Sequence, residues 1–261
     1  SYLRQIGPVS EEWQLDRLFF ILMARGFGLP VNGLPMELMA RRIPYLLLQD
    51  SIHDLYSLES LFFGLSGLLP VPVASDPYAK MLSDRFSHIS AKWSVASLYK
   101  HIWKYMRIRP ASFPPLRIAQ LAALLHFRYP VRETVLSCRS HTELIQLLRI
   151  RASPYWDRHY LFGKSSPALE KYTGLDFRRG LLINVIVPFL EATEHRGNKE
   201  LTEEILSEMK AESNHIIKNW RKFGIKPDNA LEGQALIQLH QFYCCQRRCI
   251  ECRLGRRYLL S

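Results

Sequence analysis

Apolar residues recur along this chain at spacings of three and four, and strand-like alternation is almost absent, so the pattern predicts helices nearly throughout. Trp13, Leu15, Leu18, Phe19, Leu22 and Met23 make one wide apolar face. Ser10, followed by two acids, is its cap candidate, and Gly26 and Gly28 are its expected stop. A second helix is expected over 55–69, where Leu58, Leu61, Phe62, Leu65 and Leu69 share a face and Gly64 and Gly67 permit close packing. A third is expected over 77–93. Pro110, Pro114 and Pro115 then break the chain, with Pro115 suited to the first turn of "LRIAQLAALLHF". Later helices are expected over 132–136, 141–149, 180–194, 200–209, 213–223 and 229–246, the last capped by Asp228 or Asn229. The predicted fold class is all-α: a single irregular multi-helix domain over 1–261 with proline-broken helices. Sub-boundaries are marked near 74–78 and 151–155, neither long enough for a free hinge. The expected core holds Trp13, Leu18, Phe19, Leu61, Phe62, Ile118, Leu121, Leu124, Ile183, Leu236 and Leu239. Asn184, inside the apolar string "LLINVIVP", is expected to be buried and partnered.

Composition agrees with a globular chain: 261 residues, 48% hydrophobic and 23% charged. No apolar run approaches the ~20 residues that a bilayer span needs, so no membrane partner is expected. The opening "SYLRQIGPVSEEWQ" begins with Ser rather than Met and lacks the basic start and apolar centre of a signal peptide, and the expectation is that the true start is missing or something was cut off. Five cysteines, four of them within nine positions, do not make the disulfide framework of a secreted domain. They point to a reducing compartment, the cytoplasm. A net charge of +11 directs attention to polyanions.

Two stretches concentrate that charge. "KHIWKYMRIRPASFPPLR" carries Lys100, Lys104, Arg107, Arg109 and Arg117 without an acid. On a helix, Lys100, Lys104 and Arg107 would share a face, flanked by Trp103 and Tyr105, a pattern that suits phosphates and unpaired bases of DNA or RNA. Trp103 and Phe113 also read as core anchors, and Arg107 or Arg109 as ties for the proline loop. Arg247, Arg248, Arg253, Arg256 and Arg257 form the second cluster, with Glu251 opposing. That cluster surrounds "HQFYCCQRRCIECRLG". Cys249 and Cys252 have a Cys-x-x-Cys spacing, Cys244 lies five residues earlier, and His240 is four residues before Cys244, on the same face of a helix. His240, Cys244, Cys249 and Cys252 could close a tetrahedral zinc site, with an iron–sulfur cluster behind zinc because it needs Cys245 or Cys138 as a fourth thiolate. Nearby arginines would favour thiolates. Against this, cysteines also pack well under a helix end, with Gly255 simply ending the turn.

Other polar groups read as structural. Tyr155 to Phe162 is an aromatic cluster with His159 hydrogen-bonded, and no nucleophile or oxyanion site accompanies it. Glu212 and His215 are three apart, but the second Glu-x-x-His string of a carboxylate-bridged metal site is missing. Glu212 is then a cap and His215 partly buried. No phosphate-binding glycine loop, nucleophile elbow or dinucleotide fingerprint occurs, so no catalytic residue is assigned.

"GFGLPVNGLPMELMARRIP", "LESLFFGLSGLL", "RIRPASFPPLRIAQLAALL", "YWDRHYLFG", "LLINVIVP", "AESNHIIKNW" and "NALEGQALIQLHQFYCCQRRCIECRLG" follow one another in this order. The series resembles the uncharacterised bacterial family catalogued as domain of unknown function 2851. Fuller members have an upstream segment with GPDF-like motifs and a Val-Glu-x-His string followed by Ser-Asp-Trp, resembling a restriction-endonuclease-type metal site. None of these strings is present here. The resemblance implies the helical C-terminal part, without the nuclease-like segment. The expected function is therefore a non-catalytic, nucleic-acid-binding accessory to an upstream nuclease-like domain. A structural or protein-interaction module is the alternative, and an enzyme with an unrecognised site is a third class.

Overall fold

The computed structural model describes residues 12–70, 76–193 and 198–259. The proposed Ser10 cap lies outside them. The described residues are helical apart from loops and one two-stranded antiparallel hairpin. The chain divides into two compact units, 1–192 and 193–261.

In the first unit, two helices form the centre. Asp54 accepts from Tyr56 N and starts α4 (Leu55–Ser66), in which every residue from Leu58 to Ser66 is buried. Phe113 precedes α6 (Pro114–Arg128), buried continuously from Pro114 to Leu125. Helices buried on every side need cover all round. It comes from α1 (Glu12–Gly28), α2 (Gly33–Arg41), α3 (Tyr45–Ser51) and α5 (Pro77–Trp93). Periodicity gave no sign of the short α2 and α3. Glu37, on α2, joins Arg25 and Arg41 at 2.6 and 2.8 Å. Asp76 caps α5 through Tyr78 N and Ala79 N, and α5 keeps the predicted bounds.

Gly26 does not stop α1. It lies inside the helix, where a methyl group would meet Val185 and Leu181, so its role is close packing. Gly67 does stop α4, at φ +68°, and Leu98 N donates to Leu65 O at 2.7 Å beside it. Gly64 faces the Phe86 ring of α5 so closely that a methyl would overlap it. Gly64→Val is expected to destabilise the chain by about 2 kcal/mol through overpacking. The denaturant midpoint should fall with an unchanged m-value, and an unshifted midpoint would contradict this contact.

The unit continues through α7 (Val131–Ser137), α8 (His141–Leu147), β1 (His159–Leu161), β2 (Lys164–Ser165), α9 (Leu175–Leu181) and α10 (Val187–Ala192). A π-turn over Leu182–Ile186 joins α9 to α10. The wide turn leaves Asn184 exposed, not buried as expected, with its amide donating to Gly180 O at 2.8 Å. Phe19, Leu61, Phe62, Ile118, Leu121, Leu124 and Ile183 are buried as expected. Leu18 is only half-buried, and Trp13 is 45% exposed against Tyr45 because the first turn of α1 projects from the packed face.

The second unit contains α11 (Asn198–Glu208), α12 (His215–Lys222), α13 (Ala230–Leu239), a π-turn over His240–Cys244 and α14 (Arg253–Leu259). Asn229 caps α13 through Glu232 N at 2.9 Å, and Glu232 reaches back to Asp228 N at 2.8 Å, a reciprocal capping pair. Asn214, not Glu212, caps α12, bonding Ile217 N at 3.0 Å. Glu212 instead accepts from Gln234 at 3.3 Å, and His215, in the first turn of α12, is exposed. Leu236 and Leu239, expected in the core, are only half-buried on α13, which packs against α11 and α12 in a unit too small to bury every apolar side chain.

Candidate nucleic-acid interface

The basic stretch of the first unit is a loop, not the helix its spacing suggested. Only a short turn forms over Lys100–Ile102. Trp103 then takes an extended backbone (φ −84°, ψ 130°), buries its ring at 5% exposure and donates from Nε1 to Ser66 O at 2.8 Å. The side-chain amide of buried Asn32 pairs with both backbone groups of Lys104, each at 2.8 Å, which removes them from any helical ladder. Arg107 lies at φ +60°, a conformation no helix uses. Further ties come from Arg42, donating to Ala96 O and Ser97 O at 3.0 and 2.8 Å, and from the edge-to-face pair Tyr105–Phe113.

This anchored loop turns its cations outward. Lys100, Lys104, Arg107 and Arg109 are all exposed, and none joins an ion pair among the described residues. No Asp or Glu occurs between Asp84 and Glu133. Tyr99, 75% exposed, stacks on His101 at 5.6 Å and 21°. Arg117 does not belong to this surface. It is buried over the Phe177 ring at 3.5 Å and bonded to Gln120, and burial draws its pKa down to about 10.

In the second unit, Arg247, Arg248 and Arg253 are exposed, and Arg248 pairs with Glu251. The π-turn changes the cysteine geometry. Cys245 N bonds His240 O at 2.8 Å, five residues back, so Cys245 rather than Cys244 comes over the imidazole, with Sγ 3.4 Å from Nδ1. Cys244 and Cys249 are exposed and Cys252 is buried. Burial, followed by the neighbouring thiols Cys252, Cys249 and Cys245, pushes the Cys244 thiol up, opposite to the effect expected of the arginines. Among the described residues, no three His, Cys, Asp or Glu side chains group as a metal site would. Gly255 does not end a turn. It is in α14, where a methyl would strike Cys249 O.

A family model described as "Protein of unknown function (DUF2851)" matches residues 4–215. The chain belongs to this family. The match includes the whole loop and ends before the cysteine-rich string. No curated protein matches this DUF2851 chain, and neither does any solved structure. No helix among the described residues is long and apolar enough to cross a membrane.

Sequence reasoning missed two features of this DUF2851 member. One is Glu59, fully buried on α4 and in no ion pair among the described residues: Tyr78 Oη donates to its Oε2, Trp156 Nε1 lies 3.3 Å from the same oxygen, and Oε1 has no hydrogen-bond partner among the described residues. Burial, opposed by the hydrogen bonds from Tyr78, Ser153 and Trp156, raises its pKa to about 7. An acid on an otherwise apolar helix face was the available signal. Around it, Tyr78 stacks on Tyr155 at 4.2 Å and Tyr155 on His159 at 4.0 Å, while His159 Nδ1 bonds Tyr155 O, as the aromatic reading anticipated. The other missed feature is a cleft lined by Arg128, Arg149 and Arg151, three arginines scattered through the sequence between helices.

Proposed function

We propose that this chain is a non-catalytic nucleic-acid-binding module, and that the loop 99–109 is its principal contact. The observation that carries the reading is an acid-free loop whose four exposed cations stand on buried anchors, Trp103 and the Asn32–Lys104 pair. A polyanion gains most from cations already held in place, since less side-chain and loop freedom is lost on binding. Phosphates would take Lys100, Lys104, Arg107 and Arg109, releasing counterions, and the exposed Tyr99–His101 pair offers a face for an unpaired base. Arg247, Arg248 and Arg253 supply a further cationic surface in the second unit. The nuclease-like upstream segment implied by the family resemblance would do the chemistry.

Fluorescence anisotropy with a labelled short oligonucleotide tests this at low salt. The chain should bind, and replacing Lys100, Lys104, Arg107 and Arg109 together by alanine should weaken binding by about a hundredfold or more, uniformly across sequences. Absence of binding by the unaltered chain at low salt would leave a structural or protein-interaction module as the reading.

A further inference from the structure

We propose that the cleft between the end of α6 and the segment 149–154 is a binding site for a phosphate monoester, with Arg149 and Arg128 as its principal ligands. It has about 430 Å³ of water-accessible space, and Leu55, Phe127, Ile150 and Pro154 give it an apolar wall beside the arginines. Each guanidinium is held from outside the cleft. Arg149 lies over the Tyr172 ring at 4.3 Å, and Arg128 Nε reaches Leu147 O at 3.4 Å. Arg151 is taken by two carboxylates: Asp157 pairs with it twice and Glu170 bonds it at 2.7 Å.

Those two acids answer Arg151, and no ion pair answers Arg149 or Arg128 among the described residues. Positive charge is instead crowded there. Arg178 is drawn down in pKa by burial and then by the charges of Arg149 and Arg179, and its buried Nε has no partner. Like charges set close together on a folded chain cost stability, and an anion would relieve that cost. Arginine forks suit tetrahedral phosphate oxygens, which accept several bonds at once.

Ser153 adds chemical detail. The Ser153 proton is engaged by Glu59 or by Tyr78 Oη, 3.0 Å away. The serine oxygen, among the residues lining the cleft, is left as an acceptor, suited to a protonated phosphate oxygen or to a hydroxyl near the ester. The apolar wall would take the body of the ester. The phosphate could end a nucleic-acid strand or belong to a small phosphorylated molecule. These residues are separate from the loop 99–109, so the site stands whether or not that loop binds nucleic acid.

Isothermal titration of the full chain with phenyl phosphate tests the site, with phenol as the uncharged control. Saturable binding of phenyl phosphate is expected, weakened about tenfold or more by Arg149→Met and by Arg128→Met. Arg149 is exposed, so its variant should keep the parent melting temperature, and Arg128→Met provides an independent second reading. A matched pair of oligonucleotides with and without a 5′-phosphate distinguishes the sources. Preference for the phosphorylated strand, lost in Arg149→Met, assigns a strand end; phenyl phosphate binding without that preference assigns a small phosphorylated molecule. The proposal is overturned if the unaltered chain shows no saturable binding to phenyl phosphate or the phosphorylated strand. It is equally overturned if both folded variants bind as tightly as their parent.

Discussion

Trp156→Ala is expected to destabilise the chain by about 3 to 5 kcal/mol, a large share of the stability of an ordinary domain. Trp156 is fully buried and touches three other rings: Phe63, stacked at 5.3 Å, and Phe162 and Tyr155, each edge-on at 5.1 Å. Its loss would open a cavity beside α4, one of the two central helices of the first unit. It would also remove the indole that donates toward Glu59, leaving one donor fewer around a buried carboxyl that already has an unpartnered oxygen. Urea denaturation followed by fluorescence and circular dichroism checks this. A loss under about 1 kcal/mol would mean that the aromatic cluster repacks and is not a fixed support.

Glu59 gives the second large effect, and its sign is opposite to that of most carboxylates. Its folded-state pKa of about 7 lies above the ordinary 4.5 because burial disfavours the charged form. Between those values the folded chain holds a proton that the unfolded chain releases. The associated stability is complete below pH 4.5 and is lost as pH rises through about 7. The integrated loss is on the order of 3 kcal/mol, and it should be absent in Glu59→Gln, whose neutral amide still offers an oxygen to Tyr78. Unfolding free energies at pH 5 and pH 8 for both proteins make the comparison. Equal pH dependence in the two would show that Glu59 does not carry the effect.

The helical fold was legible because long elements advertise themselves: α5 starts at an Asp-Pro cap, and α4 and α6 are apolar over several turns. The short α2 and α3 escaped because seven to nine residues hold too little periodicity, and they form only against α1 and α4. The basic loop was legible as composition but not as conformation. Helical spacing of Lys100, Lys104 and Arg107 was overridden by two long-range ties, Trp103 to Ser66 and Asn32 to Lys104, which no local pattern encodes. In the same way, His240 and Cys244 looked like a face of an α-helix, and one π-turn moved the contact to Cys245. Arg128, Arg149 and Arg151 were illegible as a group because tertiary structure alone brings the end of α6 to the segment after α8. Arg117 shows the converse: a cation counted in the basic patch is a buried structural group on Phe177.

The salt dependence of nucleic-acid binding tests the central claim most directly. Each phosphate neutralised on a duplex contributes about 0.9 to the slope of log K against log salt. With Lys100, Lys104, Arg107 and Arg109 in contact, the variant lacking all four should have a slope shallower by roughly 3 to 4 than the unaltered chain. Parallel slopes for the two proteins, with both folded, would contradict the assignment of the loop as the nucleic-acid interface.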